Sequence, residues 1–348
     1  MTQLKNPEDA PIDFIALPKI ELHAHLSGSI SRQTLHEIWL LQQPHTTLPD
    51  PLLVMPPGKH DFDLTAFFPL FSSYTYHLIN SPSSLSYATS SVLRDFAADG
   101  VVYLELRTTP RAIPSADMTK SDYVRCVLET IVQFEREDKR MRTKLILSVD
   151  RRNSLPEAQE TVALAVEFML KGVVGLDLCG DPAVGGIERL APAFAEARRA
   201  APGLGLTLHF AEAECSGSGE ELEMLLGWGP QRIGHVIHVS EGMRERIVKR
   251  GGMGLELCLS CNVHAGMVCG GFEGHHFGEW WKVDNVAVIL CTDDVGVFGS
   301  PLSNEYALVA EHFGLERADI CALARRGIDT IFGGEEEKVR LREILWSG

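Results

Sequence analysis

The stretch GLTLHFAEAECSGSGEELEMLLGWGPQRIGHVIH (205–238) contains one complete repeating unit of the fold. It begins with a short apolar run, GLTLHFAEAE (205–214), which ends in ionisable residues. A segment with helical spacing, EELEMLLGWG (220–229), then leads to a second apolar run, RIGHVIH (232–238). Apolar runs that alternate with amphipathic segments predict strands joined by helices, and therefore a parallel sheet.

The same unit recurs along the chain. Eight apolar, β-branched runs each end in a polar or ionisable residue: KIELHAH (19–25), VVYLELRTTPR (101–111), KLILSVDRR (144–152), VVGLDLCGD (173–181), GLTLHFAEAE (205–214), RIGHVIH (232–238), GLELCLSCN (254–262) and VAVILCTDD (286–294). Helix candidates lie between them at 121–138, 155–170, 187–199, 220–229 and 240–251. Eight strand–helix units in one chain predict an α/β fold of the (β/α)8 or TIM barrel type.

A long gap separates the first and second runs. Residues 26–100 are too many for one crossover helix, and they contain a proline-rich loop and helix-like segments near 63–79 and 84–98. We interpret this gap as a helical insertion after the first strand that forms a lid over the barrel mouth. The sequence has no evident linker, so we expect a single domain over 1–348 with C-terminal helices over 312–348.

Composition and charge exclude several classes of protein. The 348 residues are 45% hydrophobic and 23% charged, as in an ordinary globular protein, and the net charge of −15 repels polyanions. We therefore expect no nucleic-acid or membrane partner, whereas a small anionic substrate needs only a local basic pocket. The eight cysteines have no regular spacing and the start shows no secretory signal, so we expect a cytosolic protein with reduced thiols. We also expect a monomer.

Ionisable residues lie at or just beyond the ends of the predicted strands. They are His23, His25, Arg107, Asp150, Asp177, His209, His235, Asp293 and Asp294. The carboxyl-terminal ends of the strands form the active-site face of a (β/α)8 barrel. The distribution therefore predicts a catalytic site at this rim.

Four of these residues form a candidate metal site. His23 and His25 are two apart in an extended strand and face the same side, where two surface histidines would give the same local pattern. His209 and Asp293 end the fifth and eighth runs. Taken alone, His209 is better explained as a core histidine, and Asp293 fits a strand-end cap as well as it fits a metal ligand. Convergence on one rim favours a metal, and three imidazoles with one carboxylate suit Zn²⁺ at one ion per chain.

Three further residues are candidates for proton transfer. Glu212 follows His209 by three residues, where it serves either as an acid and base toward a substrate ring nitrogen or as a helix cap. His235 ends the sixth run. Asp294 follows a candidate metal ligand, so it either hydrogen-bonds water and substrate at the metal or belongs to a solvated turn.

The motifs together resemble a known family. In this order and spacing, PKIELHAHLSGSIS, LDLCGDP, HFAEAE, RIGH and LCTDDVGVF resemble the adenosine and AMP deaminase family of the amidohydrolase superfamily. ELHAHLSGSIS, YLELRTTPR and CTDDVGVF select the adenosine deaminase-like branch, whose members are N6-methyl-AMP deaminases. The resemblance implies a metal-dependent hydrolase barrel that converts N6-methyl-AMP to IMP and methylamine.

The resemblance also implies roles for individual residues. It implies zinc on His23, His25, His209 and Asp293, Glu212 as proton donor to ring nitrogen 1, and His235 and Asp294 as the groups that orient and deprotonate the attacking water. The implied nucleotide contacts are His25, His77, Thr108, Thr109, Pro110, Arg111, Asp150, Gly180 and Asp294. Ser27 and Val236 depart from the family pattern, in which asparagine and glycine are usual.

The residues constrain the substrate less tightly than they constrain the metal site. Arg111 with two threonine hydroxyls and a histidine could bind a 5′-phosphate, although a surface arginine that caps a loop fits as well. The alternatives are an adenosine deaminase that acts on the nucleoside, an amidohydrolase with another amide or cyclic substrate, and a catalytically inactive relative that binds nucleotides or a protein partner.

Overall fold

Eight parallel strands form the centre of the molecule. The computed structural model describes residues 12–62 and 68–347. Each strand is hydrogen-bonded to the next one along the chain. The strands are β1 (Lys19–His25), β2 (Val101–Thr108), β3 (Arg142–Asp150), β4 (Val173–Cys179), β5 (Gly205–Phe210), β6 (Arg232–His235), β7 (Met253–Leu257) and β8 (Val286–Leu290).

The sheet closes just beyond the end of β8. Ala24 of β1 bridges Asp293 in parallel register. The Asp293 N–H donates to the His23 carbonyl at 2.8 Å, and the His25 N–H donates to the Asp293 carbonyl at 3.0 Å. The (β/α)8 barrel predicted from the sequence is confirmed.

Helices surround the barrel. They are α1 (Leu26–Ser29), α2 (Arg32–Leu41), α3 (Pro51–Val54), α4 (Tyr76–Leu78), α5 (Pro82–Ala98), α6 (Lys120–Glu137), α7 (Leu155–Phe168), α8 (Ala191–Ala200), α9 (Gly219–Gly227), α10 (Glu241–Arg250), α11 (Leu259–His264), α12 (Phe277–Trp280), α13 (Val295–Phe298), α14 (Leu302–Phe313), α15 (Arg317–Arg326) and α16 (Glu335–Ile344). A π-helical turn, Phe71–Thr75, precedes α4. Capping boxes at Thr119 and Ser154 begin α6 and α7, because each hydroxyl satisfies an otherwise unpaired N–H of the first turn. Among the residues that the structure describes, no helix is long and apolar enough to cross a membrane.

Several strands are shorter than predicted. The run 205–214 leaves the strand after Phe210, because Ala211 has a φ of +51°, which an extended strand does not allow. The run 254–262 ends as a strand at Leu257 and continues into α11. The polar residues at the ends of these runs therefore lie beyond the strands, Glu212 in the segment after β5 and Asn262 in α11.

A network of charges fills the barrel below the candidate site. Glu256 of β7 accepts hydrogen bonds from Arg107 at 2.8 Å and from Arg232 at 2.6 Å, and all three side chains are fully buried. Arg232 also contacts Glu105 at 2.7 Å and stacks on Phe332, with 3.7 Å to the ring centroid. These charges are paired, as buried charges must be.

The insertion after β1 contains α1 to α5 of the described residues. Its helices pack on one another through contacts such as the 2.7 Å hydrogen bond between Thr34 of α2 and Ser91 of α5. The predicted helix-like segment 63–79 begins in residues 63–67, which lie outside the described part of the chain, and continues through the π-helical turn and α4. The segment 84–98 lies within α5.

Candidate active site

Four side chains at the barrel rim could hold a metal ion. His23, His25, His209 and Asp293 each offer one donor atom, and these atoms all lie within 4.8 Å of one another. The Nε2 atoms of His25 and His209 are 3.1 Å apart, and Asp293 Oδ1 lies 3.4 Å from His25 Nε2. The hydrogen bonds that close the barrel hold His23, His25 and Asp293 side by side, so the barrel seam itself positions three of the four donors.

Buried carboxylates orient two of the imidazoles. The Nδ1–H of His23 donates to Glu256 at 2.7 Å, and the Nδ1–H of His209 donates to Asp177 at 3.1 Å. Both rings therefore direct an unprotonated Nε2 toward the centre of the cluster, which is the arrangement typical of metal-binding histidines. His23 Nε2 is buried and has no hydrogen-bond partner within the described residues, so the donor set fits a cation at its centre.

The electrostatics of the cluster favour neutral imidazoles at His23 and His25. Burial and the positive charge of Arg107 hold the pKa of His23 well below its usual range. Burial and the neighbouring His209 also hold the pKa of His25 well below its usual range. Burial also acts to lower the pKa of His209, but the adjacent Asp177 carboxylate raises it above its usual value. Neutral rings keep the lone pairs that a metal requires.

A second group of donor atoms shares Asp293. His235, Cys258 and Asp293 also offer atoms within 4.8 Å of one another. The thiol of Cys261 donates to Asp293 Oδ2 at 3.0 Å. Because the first group has four donors and two orienting carboxylates, it is the better metal site.

Glu212 and His235 face this cluster. His235 Nε2 lies 3.9 Å from Glu212 Oε1 and 3.8 Å from Asp293 Oδ2. Burial raises the pKa of Glu212 to about 7, so the carboxyl group is protonated in an appreciable fraction of molecules at neutral pH. A protonated carboxyl group beside a metal can donate to a ring nitrogen.

Asp294 completes the same face. It is buried at the start of α13, and burial together with the Asp293 charge raises its pKa well above the usual value. Its carboxylate lies against Gly28, so the first helix of the insertion is in contact with the site.

A cleft opens above the cluster. Its walls include Thr108, Thr109, Asp150 and Gly180 of the predicted nucleotide contacts, together with His25 and Asp294. Gly180 has a φ of +99°, and a Cβ at this position would lie 2.6 Å from the Asp150 carboxylate. Residues of the insertion, Phe68, Phe71, Ser72 and Tyr76, form another wall.

Three predicted contacts lie outside the cleft. Within the described part of the chain, His77, Pro110 and Arg111 are not among the cleft-lining residues, and the His77 side chain is exposed. Arg111 donates to the Ile79 carbonyl, and its guanidinium lies 4.9 Å from the ring centroid of Tyr76, which does line the cleft. The Tyr76 side chain therefore lies between Arg111 and the cleft.

Sequence reasoning missed the residues that support the site. Glu256 orients His23, Tyr76 and Arg152 line the cleft, and Asn262 donates from Nδ2 to His235 Nδ1 at 3.0 Å. The signal for Glu256 was a lone acid within the apolar run GLELCL (254–259). The other three lie outside the strands, where sequence periodicity indicates no direction for a side chain.

Comparisons with known proteins agree with this geometry. The family profile described as Adenosine deaminase matches residues 18–347. The Homo sapiens N6-Methyl-AMP deaminase is 38% identical over 352 residues, which cover 99% of this chain and 97% of that protein. The crystal structure of Arabidopsis N6-mAMP deaminase has a TM-score of 0.88 at 36% identity, covering 96% of this chain and 99% of that one. The crystal structure of Arabidopsis ADAL complexed with IMP has a TM-score of 0.87 at 35% identity, and the match covers 95% of this chain and 97% of that one.

Proposed function

The chain belongs to the adenosine deaminase family and is a hydrolase that acts on C–N bonds, and from that premise we propose that it deaminates N6-methyl-AMP. Water replaces the methylamino group at carbon 6, so the products are IMP and methylamine, and related N6-substituted purine nucleoside monophosphates react in the same way. The full-length similarity to N6-methyl-AMP deaminases and the IMP complex of a similar structure support this substrate.

The observation that carries the proposal is the cluster of donor atoms beside Glu212. We propose one Zn²⁺ per chain on His23, His25, His209 and Asp293, since three imidazoles and one carboxylate are ligands that zinc prefers. When bound, such an ion lowers the pKa of water toward about 7 and so supplies a nucleophile near neutral pH.

Glu212 acts as the proton donor to ring nitrogen 1 in this proposal. Its carboxyl group is buried, its pKa is about 7, and its Oε2 has no hydrogen-bond partner within the described residues. Protonation of the ring nitrogen draws electrons from carbon 6 and makes that carbon easier to attack. Asp294 and His235 orient the attacking water in this proposal.

The cleft walls suggest how the nucleotide binds. The Gly180 backbone admits the purine, and Thr108, Thr109 and Asp150 provide polar contacts along the cleft. Arg111 forms no ion pair with any residue that the structure describes, whereas Arg152 is paired with Asp150 at 2.6 Å. An incoming phosphate would therefore attract Arg111 rather than the neutralised Arg152.

The location of these contacts explains the proposed preference for nucleotides. Tyr76 separates Arg111 from the cleft, and a small side-chain movement would bring the guanidinium to a phosphate. In this proposal His77 and Pro110 support the same wall, and the insertion covers the bound substrate as a lid. A cytosolic enzyme of purine nucleotide metabolism would also keep its eight cysteines as thiols, the state they have here.

Product analysis tests the proposed function. Purified protein, before and after removal of metal by a chelator, is incubated with N6-methyl-AMP, and IMP and methylamine are quantified together. We expect both products in equal amounts from the untreated protein, loss after chelation and recovery with Zn²⁺. No product from zinc-loaded protein would instead favour another amidohydrolase substrate or an inactive nucleotide-binding relative.

A further inference from the structure

A chain of hydrogen bonds leads from the backbone of α12 to the candidate catalytic histidine. The Phe277 N–H donates to His275 Nδ1 at 3.0 Å. His275 Nε2 is 3.2 Å from Asn262 Oδ1, and Asn262 Nδ2 is 3.0 Å from His235 Nδ1. His275, Asn262 and His235 are all buried, so solvent does not compete for these bonds.

The backbone amide determines the direction of every bond in this chain. An amide N–H can only donate, so His275 Nδ1 accepts and its proton lies on Nε2. That proton is donated to Asn262 Oδ1, which leaves the Asn262 NH₂ group to donate to His235 Nδ1. His235 therefore has no proton on Nδ1, and the neutral ring carries its proton on Nε2.

From these contacts we propose that Asn262 and His275 are positioning residues that hold His235 in its Nε2–H tautomer, so that His235 donates a hydrogen bond to the attacking oxygen and does not accept its proton. The inference rests on the proposed function and refines it.

The surroundings of His235 Nε2 agree with a donor. The atom is buried and has no hydrogen-bond partner within the described residues. It points into the gap between Glu212 and Asp293, at 3.9 and 3.8 Å from their carboxylate oxygens. A buried N–H without a hydrogen-bond partner is unfavourable. An attacking oxygen in this gap would satisfy it at the moment of reaction.

A second histidine holds the backbone of His235. His276 Nε2 donates to the His235 carbonyl at 2.6 Å, and its ring stacks on His275 with centroids 4.1 Å apart. His235 has a φ of +64°, a conformation that is uncommon for a residue with a side chain. The pair His275–His276 therefore restrains both the ring and the main chain of His235.

Nitrogen NMR tests the tautomer directly. In protein labelled with ¹⁵N-histidine, the two ring nitrogens of His235 are distinguished by chemical shift and assigned by comparison with a His235→Asn variant. We expect a protonated Nε2 and an unprotonated Nδ1, in metal-free as well as zinc-loaded protein. A protonated Nδ1 in the unmutated protein would overturn the proposal without any reference to activity.

The variant Asn262→Asp supplies the matched change. A carboxylate has the same shape but accepts from both neighbours, so it draws a proton onto His235 Nδ1. We expect the Nδ1 resonance to move to the protonated range and kcat to fall about 100-fold with KM little changed. A His276→Gln variant removes the ring stacked on His275 but none of the side chains in the hydrogen-bond chain, so it should leave the His235 ring resonances in place.

The outcomes separate this inference from the proposed function. If Asn262→Asp shifts the His235 resonances but leaves kcat unchanged, the tautomer has no catalytic role and the inference fails. If the unmutated protein shows the expected tautomer but does not deaminate N6-methyl-AMP, the substrate proposal fails while the tautomer assignment stands. Circular dichroism of each variant confirms that a loss of activity does not come from unfolding.

Discussion

Gly28 of α1 lies against the carboxylate of Asp294. A methyl group at position 28 would be 1.3 Å from Asp294 Oδ1, so no residue with a side chain fits here while Asp294 keeps its position. The backbone of Gly28 is in a short helix and has an ordinary conformation, so the requirement is for space alone. The start of the insertion thus forms part of the candidate active site.

We predict that Gly28→Ala moves Asp294 and lowers kcat about 100-fold, because a misplaced group near the reacting atoms loses its catalytic contribution. Metal content, measured by atomic emission, should be unchanged. Gly242→Ala, in α10 with no atom within 4 Å of the added methyl, is the control and should retain full activity. Equal kinetics for the two variants would remove Asp294 from the mechanism.

Substitution of Glu212 should lower turnover without loss of metal, whereas substitution of His209 should remove both. Glu212→Gln is expected to keep the metal and lower kcat about 1,000-fold, since the amide has the same size but no acidic proton. His209→Ala is expected to lose both metal and turnover, because one of four donors is gone. Metal analysis and kcat are measured on the same preparations. Wild-type turnover by Glu212→Gln would show that another group protonates the substrate.

The pKa of Glu212 predicts a pH dependence. Burial raises it from its ordinary value to about 7, so the acid form is present below that pH and is lost as the pH rises through it. We therefore expect kcat/KM to fall on the alkaline side of neutrality, about tenfold for each further pH unit. Rates of methylamine release between about pH 5.5 and pH 9 provide the profile. A rate that keeps rising to the alkaline end would rule out Glu212 as the acid.

Arg111 and Arg152 offer a matched pair for phosphate recognition. Arg111→Ala should lower kcat/KM for N6-methyl-AMP about 30-fold more than for N6-methyladenosine, which corresponds to one charge-assisted hydrogen bond of about 2 kcal/mol. Arg152→Ala should affect both substrates alike, because Arg152 acts through its ion pair with Asp150. A nucleotide-specific loss in Arg152→Ala alone would assign the phosphate to that arginine instead.

The strand pattern predicted the barrel, and it also predicted that the candidate metal ligands lie together at one rim, for a simple physical reason. Strands buried on both faces are nearly continuous apolar runs, so an ionisable residue at the end of such a run stands out. His23, His25 and His209 were found in this way, and the barrel then brings the strand ends together at one rim. The residue Asp293 was found by the same rule, although it lies three residues beyond β8.

Residues in turns could not be placed by this reasoning. Asn262 reaches His235 from α11, and His275 reaches Asn262 from the loop before α12. No periodic pattern indicates the direction of these two side chains. The direction of Arg111 is likewise set by the Ile79 carbonyl and the Tyr76 ring, which come from the insertion. Contacts between distant segments depend on tertiary packing, and a single sequence does not encode them in a readable local pattern.

The proposed preference for the 5′-phosphate is tested most directly by comparing kcat/KM for N6-methyl-AMP, AMP, N6-methyladenosine and adenosine with one preparation of zinc-loaded protein. The change in purine absorbance and the released amine are followed together. We predict that N6-methyl-AMP has the highest kcat/KM and that both nucleosides react at least about 100-fold less well. A preference for adenosine over N6-methyl-AMP would contradict the account and identify a nucleoside deaminase.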